Sequence, residues 1–154
     1  MPKLTVNESA FGMTDELVID FTAFSVANAG VLADNATKTF TYAIPAGTMV
    51  TDVSAYLMTA FDDSGGGDEL NVIVGDGTDD DGFLTTAALH VDQTEITYVA
   101  DTGAYIDNEN GKVYTVADTI DLKFTPDVST GTPYSLNELT AGQVKFKFRL
   151  VSLA

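Results

Sequence analysis

The stretch VIVGDGTDDDGFL, Val72 to Leu84, places four aspartates close together between two apolar runs. These aspartates are Asp76, Asp79, Asp80 and Asp81. Carboxylates at this density can coordinate a metal ion, form a catalytic pair, or keep a turn in water. Carboxylate oxygens are ligands that Ca²⁺ prefers, and two carboxylates flanking one bond are the machinery of glycoside hydrolysis. The choice among these three roles decides whether the chain has chemistry of its own.

A calcium loop of the EF-hand type needs oxygen ligands at alternate positions, a glycine at position six and a glutamate at position twelve. Counted from Asp76, the third position is Thr78, the glycine arrives one residue late as Gly82, and the twelfth position is Ala87. The sequence therefore does not predict an EF-hand. An irregular Ca²⁺ site formed by the same four aspartates stays open, because Ca²⁺ accepts oxygens of any origin.

Catalytic chemistry has weaker support in the sequence. A carboxylate pair that cleaves glycosides must be held in a cleft, with an apolar neighbour that raises one pKa, whereas successive aspartates in a glycine-rich turn predict solvation. His90 is the single histidine and cysteine is absent. The common motifs of serine hydrolases, zinc proteases and phosphate loops do not occur. We predict a protein that is not an enzyme and has no catalytic residues, with aspartates that mainly solvate a tight, mobile connection.

Basic and apolar residues alternate in VKFKFRLV, residues 144–151. Successive side chains of a strand point to opposite faces, so Lys145, Lys147 and Arg149 form a stripe on one face. We predict either an edge strand protected by its positive charge or a strand paired with acidic neighbours such as Asp121. The alternative is a docking stripe for an acidic partner.

The dominant hydrophobic period along the chain is two, which predicts β-strands. Strands are expected over residues 17–24, 39–44, 50–61, 70–74, 95–99, 119–125 and 144–151, with a hairpin over 105–114 that turns at Asn110-Gly111. Helix is limited to a capped turn at Ser135–Glu138, ended by Gly142, and a turn or two over residues 84–91. The predicted fold class is all-β, an antiparallel β-sandwich or jelly roll of about eight strands with at most one or two short helical turns.

The charge of the chain restricts the classes of partner that it can bind. Its 154 residues include 7 basic and 23 acidic ones, a formal net charge of −16. Nucleic acids are excluded as partners because their affinity comes largely from Lys and Arg, and anionic membrane surfaces are disfavoured for the same reason. No apolar run approaches the roughly 20 residues of a membrane span, and the first residues lack the apolar core of a secretion signal. We expect synthesis in the cytoplasm and a single domain over residues 13–154.

Residues 1–12 form an N-terminal arm that mixes polar residues with the apolar Leu4, Val6 and Phe11. An arm of this kind is usually disordered in isolation, and it can add a strand to an exposed sheet edge of a partner. We predict that the arm is an attachment element. The alternative is that it forms the first strand of its own sandwich.

Three stretches, VGDGTDDDGFL, GKVYTVADTIDLKFT and LTAGQVKFKFRLVSL, resemble a group of small acidic β proteins encoded in the head-gene regions of tailed bacteriophages. The resemblance covers residues 50–154. Members of that group are taken to be capsid decoration, or cement, proteins. The resemblance implies a structural virion protein on the capsid exterior that binds the major capsid protein, assembles as a homotrimer and needs no cofactor. The arm and the stripe are then the expected contacts with the capsid or with a neighbouring subunit.

Two other functions stay open. Small jelly rolls also serve as carbohydrate-binding modules, which usually present exposed aromatic side chains to the sugar. Tryptophan is absent, and most of the tyrosines that would substitute for it are in core-facing registers of the predicted strands; they are Tyr56, Tyr98, Tyr105, Tyr114 and Tyr134. A tail or connector component is the remaining alternative.

Overall fold

A computed structural model describes residues 15–63, 70–89, 97–98, 102–126 and 132–153, and nine β-strands make up most of these residues. Short helices join some of the strands: α1 (Val26–Ala29), α2 (Ala104–Asp107) and two 3₁₀ turns, Phe21–Phe24 and Leu136–Glu138. The strands are β1 (Asp15–Asp20), β2 (Lys38–Ile44), β3 (Thr48–Asp63), β4 (Leu70–Gly75), β5 (Leu84–Ala88), β6 (Thr97–Tyr98), β7 (Lys112–Tyr114), β8 (Asp118–Pro126) and β9 (Leu139–Ser152).

The strands form two antiparallel sheets. One has the order β1-β9-β3-β6, with β7 also pairing with β3, and the other has the order β2-β8-β4-β5. If β7 is left out, the other eight strands form four antiparallel pairs that follow one another along a single long two-stranded ribbon. These pairs are β1/β9, β2/β8, β3/β6 and β4/β5. Rolling up that ribbon adds the pairs β9/β3 and β8/β4, which gives the strand order of a jelly roll. The predicted all-β sandwich is confirmed.

Aromatic rings from both sheets fill the space between them. Phe124 of β8 meets Phe146 of β9 with ring centroids 6.1 Å apart and an interplanar angle of 88°. Phe24, from the first 3₁₀ turn, lies 5.1 Å from Phe124. Edge-to-face pairs of this kind add about 0.5–1.5 kcal/mol each beyond the area that they bury. At the margin of the sandwich, Tyr42 of β2 donates a hydrogen bond to Asp15 of β1 and so ties the outer strands of the two sheets together.

The position of β9 corrects one prediction. This strand lies between β1 and β3, so it is not an edge strand. Asp121 is on β8 in the other sheet, so the acidic neighbours of the stripe are not Asp121 but Glu16 on β1 and Asp52 on β3. The reason lies in the topology: the first and last strands of a rolled ribbon pair with each other, and β3 then covers the second edge of the last strand.

Two predicted elements have a different local structure. The strand expected over residues 17–24 ends at Asp20, because the Asp20 carboxylate accepts a hydrogen bond of 2.9 Å from the backbone N–H of Thr22 and caps a 3₁₀ turn. The helical turn expected over residues 84–91 is wrong for its first part, since residues 84–88 form β5 and pair with β4. A local cap therefore ends the first element, and pairing with another strand determines the second.

The region of residues 104–114 confirms its predicted turn but not its predicted hairpin. Asn110 and Gly111 take φ values of 58° and 121°, the left-handed region that an Asn-Gly pair tolerates. The chain before them is helix α2 rather than a strand, and only β7 follows.

The capping box of the second 3₁₀ turn is confirmed: Ser135 and Glu138 each bind the backbone near the other residue. Gly142 does not end this turn, because Glu138 is its last residue and Gly142 already belongs to β9. Leu4, Val6, Phe11 and His90 lie outside the described residues. Within the described part of the chain, no helix has the length and apolar character that crossing a membrane requires.

Candidate functional site

The aspartate loop, residues 76–82, connects β4 to β5 at one end of the four-stranded sheet. The backbone N–H of Phe83 donates to the carbonyl of Val74 at 2.9 Å and closes the hairpin. Within the loop, the N–H of Asp76 donates to the carbonyl of Asp79 at 2.8 Å. A Cβ atom built on Gly75 would lie 2.0 Å from that same Asp79 oxygen, so the loop folds back closely on the end of β4.

Asp76 lies inside the protein, with only 3% of its surface exposed. Its Oδ1 atom accepts hydrogen bonds from the backbone N–H groups of Thr78 at 2.8 Å and Asp79 at 3.0 Å, and from the hydroxyl of Tyr105 at 2.9 Å. Its Oδ2 atom accepts one from the hydroxyl of Tyr114 at 2.9 Å. One carboxylate therefore joins the loop to α2 and β7, and the interpretation of the aspartates as a solvated turn is wrong for Asp76.

Opposing effects act on the pKa of Asp76. Burial by itself would raise this pKa, but the two N–H donors and the two tyrosine hydroxyls stabilise the charged form and lower it below the usual value. The pKa values of Tyr105 and Tyr114 are raised, first by burial and then by the Asp76 carboxylate that each hydroxyl binds. The three groups thus form a polar cluster with one negative charge, which we name the Asp76 cluster.

The other three aspartates of the loop lie apart from this cluster. Asp79, Asp80 and Asp81 have carboxylate oxygens within 4.8 Å of one another. The Asp80 carboxylate lies 2.7 Å from the ammonium of Lys123, and this hydrogen bond and charge lower the pKa of Asp80. A hydrogen bond with Asp79, together with burial and the charges of Asp79 and Asp80, raises the pKa of Asp81. The surroundings thus act in opposite directions on the pKa values of Asp80 and Asp81.

The structure brings together only three of the four predicted calcium ligands. Both oxygens of Asp76 already accept hydrogen bonds from protein groups, whereas Ca²⁺ takes about six to eight oxygens. The remaining trio offers one ligand atom from each residue, so water would have to supply most of a calcium shell. A shallow cavity of about 370 Å³ lies beside it; its lining is Asp76, Gly77, Thr78, Asp79, Asp80, Asp121 and Lys123.

The predicted stripe occupies the outer face of the five-stranded sheet. Lys145, Lys147 and Arg149 point away from the core, whereas the intervening Phe146 and Phe148 are fully buried. The Lys145 ammonium lies 3.6 Å from the carboxylate of Glu16 on β1. Each cation of the stripe occupies one row of the sheet: Lys145 and Lys147 have neighbours on both β1 and β3, and Arg149 has its neighbour on β3.

Those neighbours are aromatic, polar or acidic, except for the apolar Val18 opposite Lys145. The Lys147 ammonium lies 5.9 Å from the ring centre of Tyr56, within the range of a cation–π contact. Arg149 is directly opposite Asp52 on β3. The outward-facing rows of Lys145, Lys147, Arg149 and Val151 contain these three cations and two carboxylates, those of Glu16 and Asp52.

An apolar group continues this face beyond the stripe. Met49 of β3 is directly opposite Val113 on one side and Val151 on the other. Val113 is 46% exposed and Val151 41% exposed. We name the outer surface formed by Lys145, Lys147, Arg149, Met49, Val113 and Val151 the stripe face. Val151 continues the alternation of the stripe in the sequence, but the contribution of β7 was missed because its pairing with β3 is long-range.

The tyrosines give little support to a sugar-binding platform. Tyr105, Tyr114 and Tyr134 are each no more than 4% exposed, which confirms the prediction that most of the tyrosines face the core. Tyr56 is half-buried under the stripe face. The side chain of Tyr98 lies outside the described part of the structure.

Comparison with known proteins found no relative of this chain. No protein-family model, no curated protein and no solved structure matches the chain.

Proposed function

We propose that this chain is a structural virion protein that binds the outer surface of a tailed-phage capsid and stabilises the capsid as a decoration, or cement, protein. The observation that carries the proposal, beside the resemblance of residues 50–154, is the uneven distribution of charge. The outward-facing rows of the stripe face from Lys145 to Val151 hold three cations and two carboxylates, whereas the whole chain has a net charge of −16.

This distribution suits a protein that coats a surface at high density. A net charge far from zero keeps copies from associating non-specifically, and one face of reduced negative charge gives the protein a defined side for attachment. The proposed partner is the major capsid protein, with a homotrimer as the assembled state. The arm with Leu4, Val6 and Phe11 is proposed as a second attachment element.

The Asp76 cluster supports a structural rather than a catalytic role for the aspartate loop. A general acid or base must be able to exchange a proton with a substrate, but the Asp76 oxygens accept hydrogen bonds from four protein donors. Its role in the proposal is to hold the loop, α2 and β7 together. Among the described residues, every buried side-chain nitrogen or oxygen has a hydrogen-bond partner, as in a domain built around packing.

Attachment to purified heads tests the proposal. The proposed role places the gene beside the head genes of a tailed phage, and undecorated heads of that phage are the binding partner for the assay. We expect saturable co-sedimentation of the chain with intact heads, and decorated heads that withstand a higher temperature before they release their DNA. An unrelated acidic protein of similar size is the control. Absence of saturable binding would contradict the proposal.

A further inference from the structure

We propose that the stripe face is the surface through which this chain docks, and that its partner is an acidic protein surface with an apolar patch at one end. The inference rests on the proposed function, under which that partner surface is the exterior of the capsid shell. It goes beyond the cationic stripe, because it joins the stripe to the apolar group of Met49, Val113 and Val151 in one continuous face.

The first observation is where the exposed apolar side chains lie. The described residues include seven large apolar side chains with substantial exposure: Val18, Val26, Val31, Val113, Val116, Val151 and Leu153. Val18 is directly opposite Lys145 on the stripe face, and Val113 and Val151 flank Met49 there. Leu153 follows two residues after Val151. Contiguous apolar surface bordered by polar groups is typical of protein–protein contacts.

The second observation is charge. A negatively charged partner is repelled by a molecule of net charge −16 unless it approaches a face that offers cations. On the stripe face the cations are on the central strand, and the carboxylates of Glu16 and Asp52 are on the strands at either side. The ion pair of Lys145 with Glu16 spans 3.6 Å at the surface. Surface pairs contribute only about 0–1 kcal/mol, so Lys145 can turn to a carboxylate of a partner at little cost.

A second copy of the chain fits this face less well. In a two-fold dimer the same patch meets itself, and β9 of one copy would then lie over β9 of the other. Lys145, Lys147 and Arg149 would face the same three residues of the second copy. Like charges brought together across an interface cost free energy. The cationic centre of the face therefore favours a different, acidic surface as its partner.

The size of the face is that of a small contact. At about 3.3 Å per residue along β9 and about 4.8 Å between strands, the rows from Lys145 to Ser152 are mostly three strands wide and cover about 26 Å by 14 Å, or roughly 400 Å². A standard interface buries about 800 Å² on each partner. Side chains at the margin of the sheet supply part of the difference, so one copy is expected to bind with moderate affinity.

Two triple variants of equal charge test the inference. K145Q/K147Q/R149Q removes the cations of the stripe face, and K38Q/K112Q/K123Q removes three cations elsewhere; each changes the net charge from −16 to −19. We expect the stripe variant to lose at least about tenfold in affinity for undecorated heads, which corresponds to 1.4 kcal/mol, and the control variant to stay within about twofold of the wild type. Thermal unfolding of each variant establishes that it is folded.

Two further measurements define the chemistry of the partner. Raising the salt concentration from 50 to 500 mM should weaken the binding of the wild-type chain by about tenfold or more, because salt screens exposed charges. V113T/V151T should weaken binding several-fold, whereas V26T/V31T, which changes exposed valines outside the face, should not.

The outcomes separate the inference from the function on which it rests. Equal binding of the wild type and the stripe variant would overturn the docking face and leave the proposed function intact. Binding that does not respond to salt would overturn the acidic partner. Self-association of the wild type that the stripe variant loses would make the face a contact between copies and would likewise overturn the inference. If the wild type does not bind heads at all, the proposed function fails, and the inference fails with it.

Discussion

The Asp76 cluster and the stripe face use charged side chains in opposite ways. In the cluster, one carboxylate is 3% exposed and accepts four hydrogen bonds. On the stripe face, the cations stand on a completed strand whose other side already fills the core. Charge inside the protein holds the fold together, whereas we propose that charge on the sheet contacts a partner. Substitutions in the first region should therefore change stability, and substitutions in the second should change binding.

The largest expected effect is that of Asp76→Ala. The substitution leaves two buried tyrosine hydroxyls and two backbone N–H groups without their acceptor, and we expect the free energy of unfolding to fall by about 3–5 kcal/mol. Asp79→Ala, in the same loop, is the control and should change it by no more than about 0.5 kcal/mol. Urea unfolding measures both values. Equal effects of the two variants would show that Asp76 is not the centre of the loop.

A pair of glycines in the same loop gives the next effect. A Cβ at Gly75 would lie 2.0 Å from the backbone oxygen of Asp79, whereas a Cβ at Gly77 meets nothing within 4 Å. We expect Gly75→Ala to cost about 1–3 kcal/mol, as overpacking does, and Gly77→Ala to be neutral or slightly stabilising. Thermal unfolding of the two variants tests the close packing of the loop, and a neutral Gly75→Ala would contradict it.

Acid should weaken the fold through Asp76. The pKa of this residue is lowered in the folded protein, so its stabilisation is complete above the unfolded value of about 3.9 and is lost as the pH falls through the folded value. Asp76→Asn should remove this part of the pH dependence. Urea unfolding of both proteins between pH 5 and about pH 2 measures it, and parallel curves for the two proteins would contradict the account.

Calcium should have the smallest effect. An ion at a hundredfold excess over its Kd would add about 2.7 kcal/mol of stability. We expect millimolar Ca²⁺ to leave the Tm unchanged, because Asp76 is engaged in the cluster and only three carboxylates remain near one another. Asp79→Asn with Asp81→Asn is the matched variant. A rise in Tm with Ca²⁺ that this variant abolishes would establish a metal site in the loop.

The sequence predicted the structural features that depend on residues close to one another in the chain. Alternation in KFKFRL identified the two faces of β9, Asn110-Gly111 identified a turn, and Ser135 with Glu138 identified a cap. It did not predict the burial of Asp76, because the two hydroxyls that bind this residue come from positions 29 and 38 residues further along the chain. The central position of β9 was missed for the same reason, since β1 and β3 are distant in sequence.

The proposed docking face fixes the orientation of the chain on a phage head, and this orientation can be measured. A cryo-electron microscopy reconstruction of decorated heads would show which side of the sandwich faces the shell. The account predicts the five-stranded sheet against the shell, with Lys147 and Arg149 beside acidic capsid residues and the aspartate loop away from the contact. A reconstruction with the four-stranded sheet or the aspartate loop against the shell, and the stripe face open to solvent, would contradict it.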